Sequence, residues 1–368
     1  MIYLSGLLLL LPAVMSLVFR HFSLRNAKAK CAARWLAYRR LNRMMMLLTV
    51  AVWSALRDLN RSSGTSSAGV LFWLPPILGI GVHLAVCYVT DAAVLDLKWS
   101  FWDAVRQAVW RLASFPVPLL MVAAGFFAIF DSKSEGICWI VCAGIVARIA
   151  RAFLRRAEGM QLHEAKAGEL RNRAFATAKR METTIRRVYI VPAGKGHLTN
   201  AFGGSGVVGV TDNWGKYFTK SELDFILGHE IAHVKLRHSR KQLLLVVATY
   251  STLIFVFLEL SRLLGIPRAL LDLAVVIVPV MILDFASRRF EYAADREAVN
   301  LVSSMESAVR ALVTVYGESS VPARCSRFVE LFLTHPTLAH RAKAIAKNGD
   351  LTTERLDDIL RTLKAPSS

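Results

Sequence analysis

Two histidines and a glutamate in the segment LGHEIAHVKLRH have a spacing that suits metal chemistry. His229, Glu230 and His233 form the pattern H-E-x-x-H, and residues four apart on a helix share a face, so both imidazoles can reach one metal ion. Zinc with three protein ligands keeps a fourth position for water, lowers the pKa of that water toward about 7 and polarises a peptide carbonyl. Glu230 would take the proton of this water and deliver it to the leaving amine. The alternative is a surface helix with incidental histidines.

A third metal ligand is expected in the segment SRRFEYAADREAV, residues 287–299. Glu291 and Asp295 lie four apart on a predicted helix, so either carboxylate can ligate the metal while the other orients a histidine. The arginines around them also fit a solvated, charged helix face. Spacing alone leaves these alternatives open.

The segment before the H-E-x-x-H pattern predicts a small sheet. RRVYIVP, residues 186–192, has the composition of a strand, and the glycines of LTNAFGGSGVVGVTD predict a hairpin or a paired edge. Ser221 is the expected N-cap of the following helix, in which apolar residues recur at helical spacing. We expect this helix to continue through Ser239 and Lys241 into an apolar run. His163, His197, His238 and His340 have no partner spacing that requires a role.

The composition favours a membrane protein. Of the 368 residues, 54% are hydrophobic, a larger share than is usual for a soluble domain. A helix that crosses a bilayer needs about 20 mostly apolar residues. Seven runs approach that length: 2–19, 43–57, 69–90, 113–130, 136–154, 242–263 and 267–285. The predicted fold class is therefore mainly α, a polytopic membrane protein with about seven transmembrane helices.

The basic residues indicate an orientation. The net charge is +19, and the loop 20–43 carries eight Lys and Arg residues without an acidic one, which is typical of a cytoplasmic loop. Residues 155–241 and 286–368 then face the cytoplasm and can form one domain. They flank a predicted transmembrane hairpin at 242–285 and follow a predicted bundle of about five helices at 1–154. Because cations beside membrane helices account for the charge and no nucleic-acid module is recognisable, nucleic acid is excluded as a partner.

Four segments in fixed order carry a family resemblance: TNAFGGSGVVGVTDNW, LGHEIAHVKLRH, SRRFEYAAD and THPTLAHR. Together they resemble the integral-membrane zinc metalloproteases that include the CAAX prenyl endopeptidase of eukaryotes and the bacterial heat-shock protease HtpX. The resemblance covers roughly residues 160–350. It implies a gluzincin-type α+β zinc protease domain with one Zn²⁺ per chain, and the distribution of basic residues places this domain on the cytoplasmic side. The resemblance also implies that Glu291 is the third zinc ligand and that Asp295 is its supporting carboxylate.

The resemblance assigns further roles. His335 of T-H-P would steady the oxyanion, with Arg341 as its partner, whereas the residue types alone also fit a structural histidine and an arginine that pairs with a carboxylate. Asn200, Ala201 and Phe202 would form an edge strand that binds substrate backbone by strand addition. An ordinary strand beside a turn is the alternative.

The hypothesis that follows is a metalloendopeptidase that hydrolyses peptide bonds of membrane or membrane-associated proteins. The expected partners are protein or peptide substrates, lipidated ones included, and the lipid bilayer. One alternative is CAAX-type processing of lipidated proteins, and another is a non-catalytic zinc-binding membrane scaffold, against which the intact Glu230 argues. The expected location is a bacterial inner membrane with the active site facing the cytoplasm, and the endoplasmic reticulum membrane is the alternative.

Overall fold

The structure, a computed structural model, describes slightly more than half of the chain. The described residues are 14, 100–114, 121, 133–157, 162–192, 201–264, 268–302, 304–318, 324, 330–331, 333–347 and 351–362. The helices there are α1 (Phe101–Ser114), α2 (Lys133–Ala157), α3 (Glu169–Arg180), α4 (Trp214–Tyr217), α5 (Lys220–Lys235), α6 (His238–Leu264), α7 (Arg268–Val299), α8 (Met305–Glu318), α9 (Leu338–Ala346) and α10 (Thr353–Thr362). The strands are β1 (His163–Glu164), β2 (Arg187–Val191), β3 (Ala201–Gly204) and β4 (Val207–Thr211).

The four strands form one mixed sheet in the order β1-β2-β4-β3. β2 runs parallel to β4, and the pairs β1–β2 and β3–β4 are antiparallel. The predicted hairpin is present: Ser205 and Gly206 connect β3 to β4 with φ angles of 52° and 80°. A two-residue loop with positive φ at both positions matches the twist of the flanking strands. β3 is thus the terminal strand of this sheet, beside β4.

Helix α5 lies at the centre of the core. It packs against α7, α8, α3 and the strands β3 and β4. Its apolar residues, which were predicted from their helical spacing, are all buried: Leu223, Ile226, Leu227 and Ile231. The removal of these apolar side chains from water is the main stabilising term for such a helix. A helix that is covered on several sides holds its polar residues at fixed depth, which is a requirement for a site built on it.

The expectation of about seven transmembrane helices is contradicted. A crossing requires both sufficient length and sustained apolarity, and none of the helices in the described part of the chain meets both conditions. The run 242–263 lies within α6, and the run 267–285 lies in α7 from residue 268 onward. The run 136–154 lies within α2, where it is interrupted by the exposed Arg148. The other four runs lie almost entirely outside the described residues.

The start of α5 differs from the prediction by two residues. Thr219, not Ser221, is the N-cap, because Thr219 and Glu222 form a capping box. The backbone N–H of Glu222 donates to the Thr219 hydroxyl at 3.4 Å, and the Glu222 carboxylate accepts from the Thr219 backbone N–H at 2.8 Å. Two N–H groups that the helix itself leaves without a partner are satisfied in this way.

The cap can be tested with a matched pair of substitutions. We expect Thr219→Ala to lower the free energy of unfolding by about 1 kcal/mol, because a backbone N–H loses its acceptor. Ser221→Ala, inside the first turn, should change it by less than about 0.5 kcal/mol. Chemical denaturation of both variants measures the two changes. Equal losses would mean that the capping box does not anchor the start of α5.

Candidate metal centre and active site

Helix α5 carries the H-E-x-x-H residues in its last two turns. The rings of His229 and His233 lie edge to face with their centroids 4.8 Å apart, and their Nε2 atoms are 3.2 Å apart. Two imidazole nitrogens at this distance point toward a common position. The side chain of His229 is buried, with 8% exposed, and that of His233 has 15% exposed.

Helix α7 supplies the carboxylates, because its C-terminal half packs along α5. Glu291 Oε2 lies 3.5 Å from His229 Nε2, and Glu291 Oε1 lies 3.5 Å from His233 Nε2. Asp295 is on the other side of the His229 ring, with Oδ1 at 2.9 Å from Nδ1. The structure therefore distinguishes the two carboxylates that spacing left equivalent: Glu291 faces the converging Nε2 atoms, and Asp295 faces the back of a histidine.

The side chains of His229, His233 and Glu291 have the geometry of a metal centre. Among the described residues, His229, His233 and Glu291 form the group of ligand atoms that could hold a metal ion. Ligands about 2.0–2.1 Å from a tetrahedral zinc lie roughly 3.3–3.4 Å from one another. The separations of 3.2 Å and 3.5 Å found here bracket that value. Two imidazoles and one carboxylate are also a donor set that suits zinc.

The hydrogen bond from Nδ1 to Asp295 leaves the Nε2 atom of His229 facing the metal position. Asp295 accepts the Nδ1–H of His229 at 2.9 Å, so Nε2 is the nitrogen left to ligate a metal ion, which would displace any proton there. Burial opposes a positive charge on this ring, but the hydrogen bonds to Asp295 and Glu291 raise the pKa of His229 to about 10. The carboxylates thus create a potential that favours a cation at this position.

Arg341 of α9 neutralises the buried carboxylates. Its Nε and Nη2 atoms donate to the two oxygens of Asp295 at 2.8 Å and 2.6 Å, and Nη1 lies 3.2 Å from Glu291 Oε2. Burial would raise the pKa of Asp295, but the charge of Arg341 and the bond from His229 hold it below its usual range. Burial likewise opposes ionisation of Glu291, yet the charge of His335 and the bonded histidines hold its pKa well below the usual range.

Glu230 has a different environment from Glu291. It is half-buried, and desolvation raises its pKa although the nearby histidines act in the opposite direction. Its backbone contacts the edge strand: a Cβ atom placed on Gly203 of β3 would be 2.0 Å from the Glu230 carbonyl oxygen. Glycine at 203 is therefore what allows β3 to lie directly against the H-E-x-x-H segment of α5.

His335 lies on the solvent-exposed side of the His229, His233 and Glu291 cluster. Its Nδ1 is 3.1 Å from Glu291 Oε2, and 60% of its side chain is exposed. The surrounding segment is held by two residues, since Arg288 Nη1 donates to three carbonyl oxygens, of Glu330, Leu331 and Leu333, at 2.8–3.1 Å. The Tyr316 hydroxyl donates to the carbonyl of Pro336 at 2.6 Å.

The proposed substrate-binding residues are only partly described. Ala201 and Phe202 lie in β3, and Phe202 is 41% exposed. Asn200 lies outside the described residues. The contact of Gly203 with Glu230 shows that β3 runs beside the H-E-x-x-H residues.

Sequence reasoning missed His238. Its Nδ1 is 2.8 Å from the Nδ1 of His233, and its ring is buried. Helix α5 does not continue into α6 as predicted, because it ends at Lys235 and Arg237 adopts a φ of 54° before α6 begins at His238. This turn directs His238 back toward His233. Burial and the neighbouring His233 lower the pKa of His238 to about 4. No glycine or asparagine at 237 signals the turn in the sequence.

Comparison with known proteins identifies the protein family to which the chain belongs. Residues 164–348, half of the chain, match Peptidase family M48. The chain belongs to peptidase family M48, which confirms the family predicted from the four sequence segments and supports the predicted metalloprotease.

Comparison with solved structures finds a similar fold. The crystal structure of S. mikatae Ste24p is similar with a TM-score of 0.58 and 13% sequence identity, and the alignment covers 93% of this chain and 98% of that chain. At this identity the similarity shows the fold alone. No curated protein matches the chain.

The contact between β3 and α5 predicts a strict requirement for glycine. We expect Gly203→Ala to reduce casein hydrolysis by about 10- to 100-fold, because a shift of roughly 1 Å between strand and helix misplaces the reacting groups. Gly215→Ala is the control, since a Cβ there meets nothing within 4 Å. Initial rates and zinc content of both proteins are the measurements. A Gly203→Ala protein with the wild-type rate would contradict the close packing.

The buried ion pair predicts a large effect on stability. In chelator-treated protein, Arg341→Met should lower the free energy of unfolding by about 3–5 kcal/mol, because two buried carboxylates lose their counter-charge. Arg310→Met removes a partner of Glu306 that is 42% exposed, and should cost less than about 1 kcal/mol. Denaturant titration compares the two variants. Similar losses would show that Arg341 does not anchor the cluster.

Proposed function

We propose that the chain is a zinc-dependent endopeptidase in which His229, His233 and Glu291 hold the metal. The observation that carries the proposal is the convergence of their ligand atoms at 3.2–3.5 Å beside Glu230. The match to a peptidase family supports hydrolysis of peptide bonds as the reaction. One zinc ion per chain is part of the proposal.

When bound, zinc would acidify a water molecule and polarise the scissile carbonyl. Glu230 would accept the proton of the attacking water and pass it to the leaving amine. Desolvation raises the pKa of Glu230, and a carboxyl group whose pKa lies closer to neutral is a better donor in the second step. Asp295 and Arg341 would hold the His229 ring and Glu291 in place without touching substrate.

His335 would contribute to the stabilisation of charge on the substrate. Its ring lies against Glu291 and is largely exposed to the open side of the group. A hydrogen-bond donor at this position can reach an oxyanion that develops on the substrate carbonyl. Arg341 is buried and engaged with Asp295 and Glu291, so we propose that it supports the carboxylates and does not contact the oxyanion.

Substrate would bind as an extended chain along β3. Addition of a strand to the end of a sheet uses backbone hydrogen bonds and tolerates many sequences. Ala201 and Phe202 lie in this terminal strand, and Asn200 precedes it in the chain. Because β3 contacts Glu230 at Gly203, a peptide on its outer edge would pass the H-E-x-x-H residues.

The proposal also includes the class of substrate. We propose membrane or membrane-associated proteins as substrates, with CAAX-type processing of lipidated proteins as the alternative. Cleavage of a prenylated peptide compared with its unprenylated counterpart and with casein separates these. A strong preference for the prenylated peptide would favour the alternative.

The mechanism predicts distinct phenotypes for two glutamates. Glu230→Gln should retain about one zinc per chain and lose casein hydrolysis by about 10²–10⁴-fold, because the proton acceptor is gone while the ligands remain. Glu291→Ala should lose both zinc and activity. His335→Phe should retain zinc and lower kcat. Metal analysis and initial rates of the purified full-length proteins provide the measurements.

His163→Ala is the control, because His163 lies in β1 at the opposite end of the sheet from β3. Unchanged hydrolysis in Glu230→Gln would rule out the assigned base. A wild-type protein that binds zinc but cleaves none of the tested peptides would instead favour the non-catalytic scaffold.

A further inference from the structure

We propose that His238 is a positioning residue for the metal centre, which fixes the ring of His233 through a hydrogen bond between their Nδ1 atoms. The inference rests on the proposed function and extends it to a residue outside the H-E-x-x-H pattern. Its role is to keep the Nε2 lone pair of His233 directed at the metal position.

Two ring contacts describe the position of His238. Its Nδ1 lies 2.8 Å from His233 Nδ1, with the ring centroids 4.8 Å apart and the planes at 73°. The ring of Phe290 also contacts it, stacking on the imidazole at 4.4 Å and 14°. Phe290 immediately precedes Glu291 in α7. His238 is therefore held between the helix that carries two of the ligands and the helix that carries the third.

The direction of the hydrogen bond follows from the chemistry of imidazole. A neutral imidazole has one N–H, so a histidine that ligates through Nε2 must carry its proton on Nδ1. His233 Nδ1 is then a donor and needs an acceptor. In the described part of the chain, His238 Nδ1 is the atom placed to accept this proton. His238 therefore has its own proton on Nε2.

The two histidine ligands are supported by different acceptors. His229 donates to the carboxylate of Asp295, whereas His233 donates to a neutral imidazole. Groups that accept from the second nitrogen of a metal-bound histidine fix its orientation, and their removal costs typically 10- to 100-fold in metal affinity or activity. A neutral acceptor provides this support without adding a third carboxylate to a cluster that Arg341 already has to neutralise.

Two substitutions separate the hydrogen bond from packing. His238→Phe keeps an aromatic ring to stack on Phe290 but removes the acceptor. His238→Asn loses the ring but places its amide oxygen near the position of the imidazole Nδ1. A role in packing alone predicts that the Phe variant resembles wild type, whereas a role in positioning predicts that the Asn variant does.

The experiment is a zinc titration of the full-length proteins against a competing chromophoric chelator. We expect His238→Phe to weaken zinc affinity by about 10- to 100-fold, and His238→Asn to recover most of this loss. Thermal unfolding after chelator treatment verifies that the variants are folded. Zinc affinity of His238→Phe equal to wild type would overturn the inference and leave the proposed zinc site intact. An equal loss in both folded variants would also overturn it.

A second measurement does not depend on the variants. In zinc-loaded wild type with ¹⁵N-labelled histidine, nitrogen chemical shifts should show a protonated Nδ1 on His233 and an unprotonated Nδ1 on His238. The reverse pattern would overturn the hydrogen bond as assigned. A wild-type protein that binds no zinc would overturn the proposed function itself, which distinguishes the two failures.

Discussion

The forked hydrogen bond between Arg341 and Asp295 is the interaction on which the site depends. Burying a carboxylate without a counter-charge costs several kcal/mol, and α7 buries both Asp295 and Glu291 next to each other. Arg341 contacts both of them from α9, and Asp295 in turn accepts from His229 of α5. One arginine therefore connects three helices that are distant in sequence, and the spacing of the ligand atoms follows from how these helices are held together.

Hydrogen bonds and ion pairs hold each of the side chains that would donate to a metal ion. His229 is oriented by Asp295, His233 contacts His238, and Glu291 contacts Arg341 and His335. Each side chain has lost its conformational freedom through folding and does not lose it again on binding, which is the physical meaning of preorganisation. The same packing sets the depth of the site, because α5 is covered by α7, α8 and the sheet.

The sequence was sufficient to predict those structural features that depend on a local pattern of residues. The H-E-x-x-H spacing, the strand at 186–192 and the glycine hairpin follow from the periods of helix and strand, and the structure has all three. It was insufficient for choosing between Glu291 and Asp295 by spacing, because both carboxylates share one helix face and only the approach of α5 separates them. His238 was missed because its contact spans a helix end at Arg237 that no turn residue announces. The membrane fold was predicted from long apolar runs, and the described helices do not meet the requirement.

The two glutamates closest to the histidines show how one site supports two roles. Burial opposes the ionisation of Glu291, but the charge of His335 and the hydrogen bonds to histidines keep its pKa well below the usual range. Glu230, only one residue from His229, is governed by desolvation, which raises its pKa. Environments that separate the pKa values of neighbouring carboxyl groups are how enzymes assign them to different tasks. A Glu291 that resists protonation suits a metal ligand, and a Glu230 that gains a proton more readily suits a proton carrier, and the surroundings of each residue thus support the division of roles that we propose.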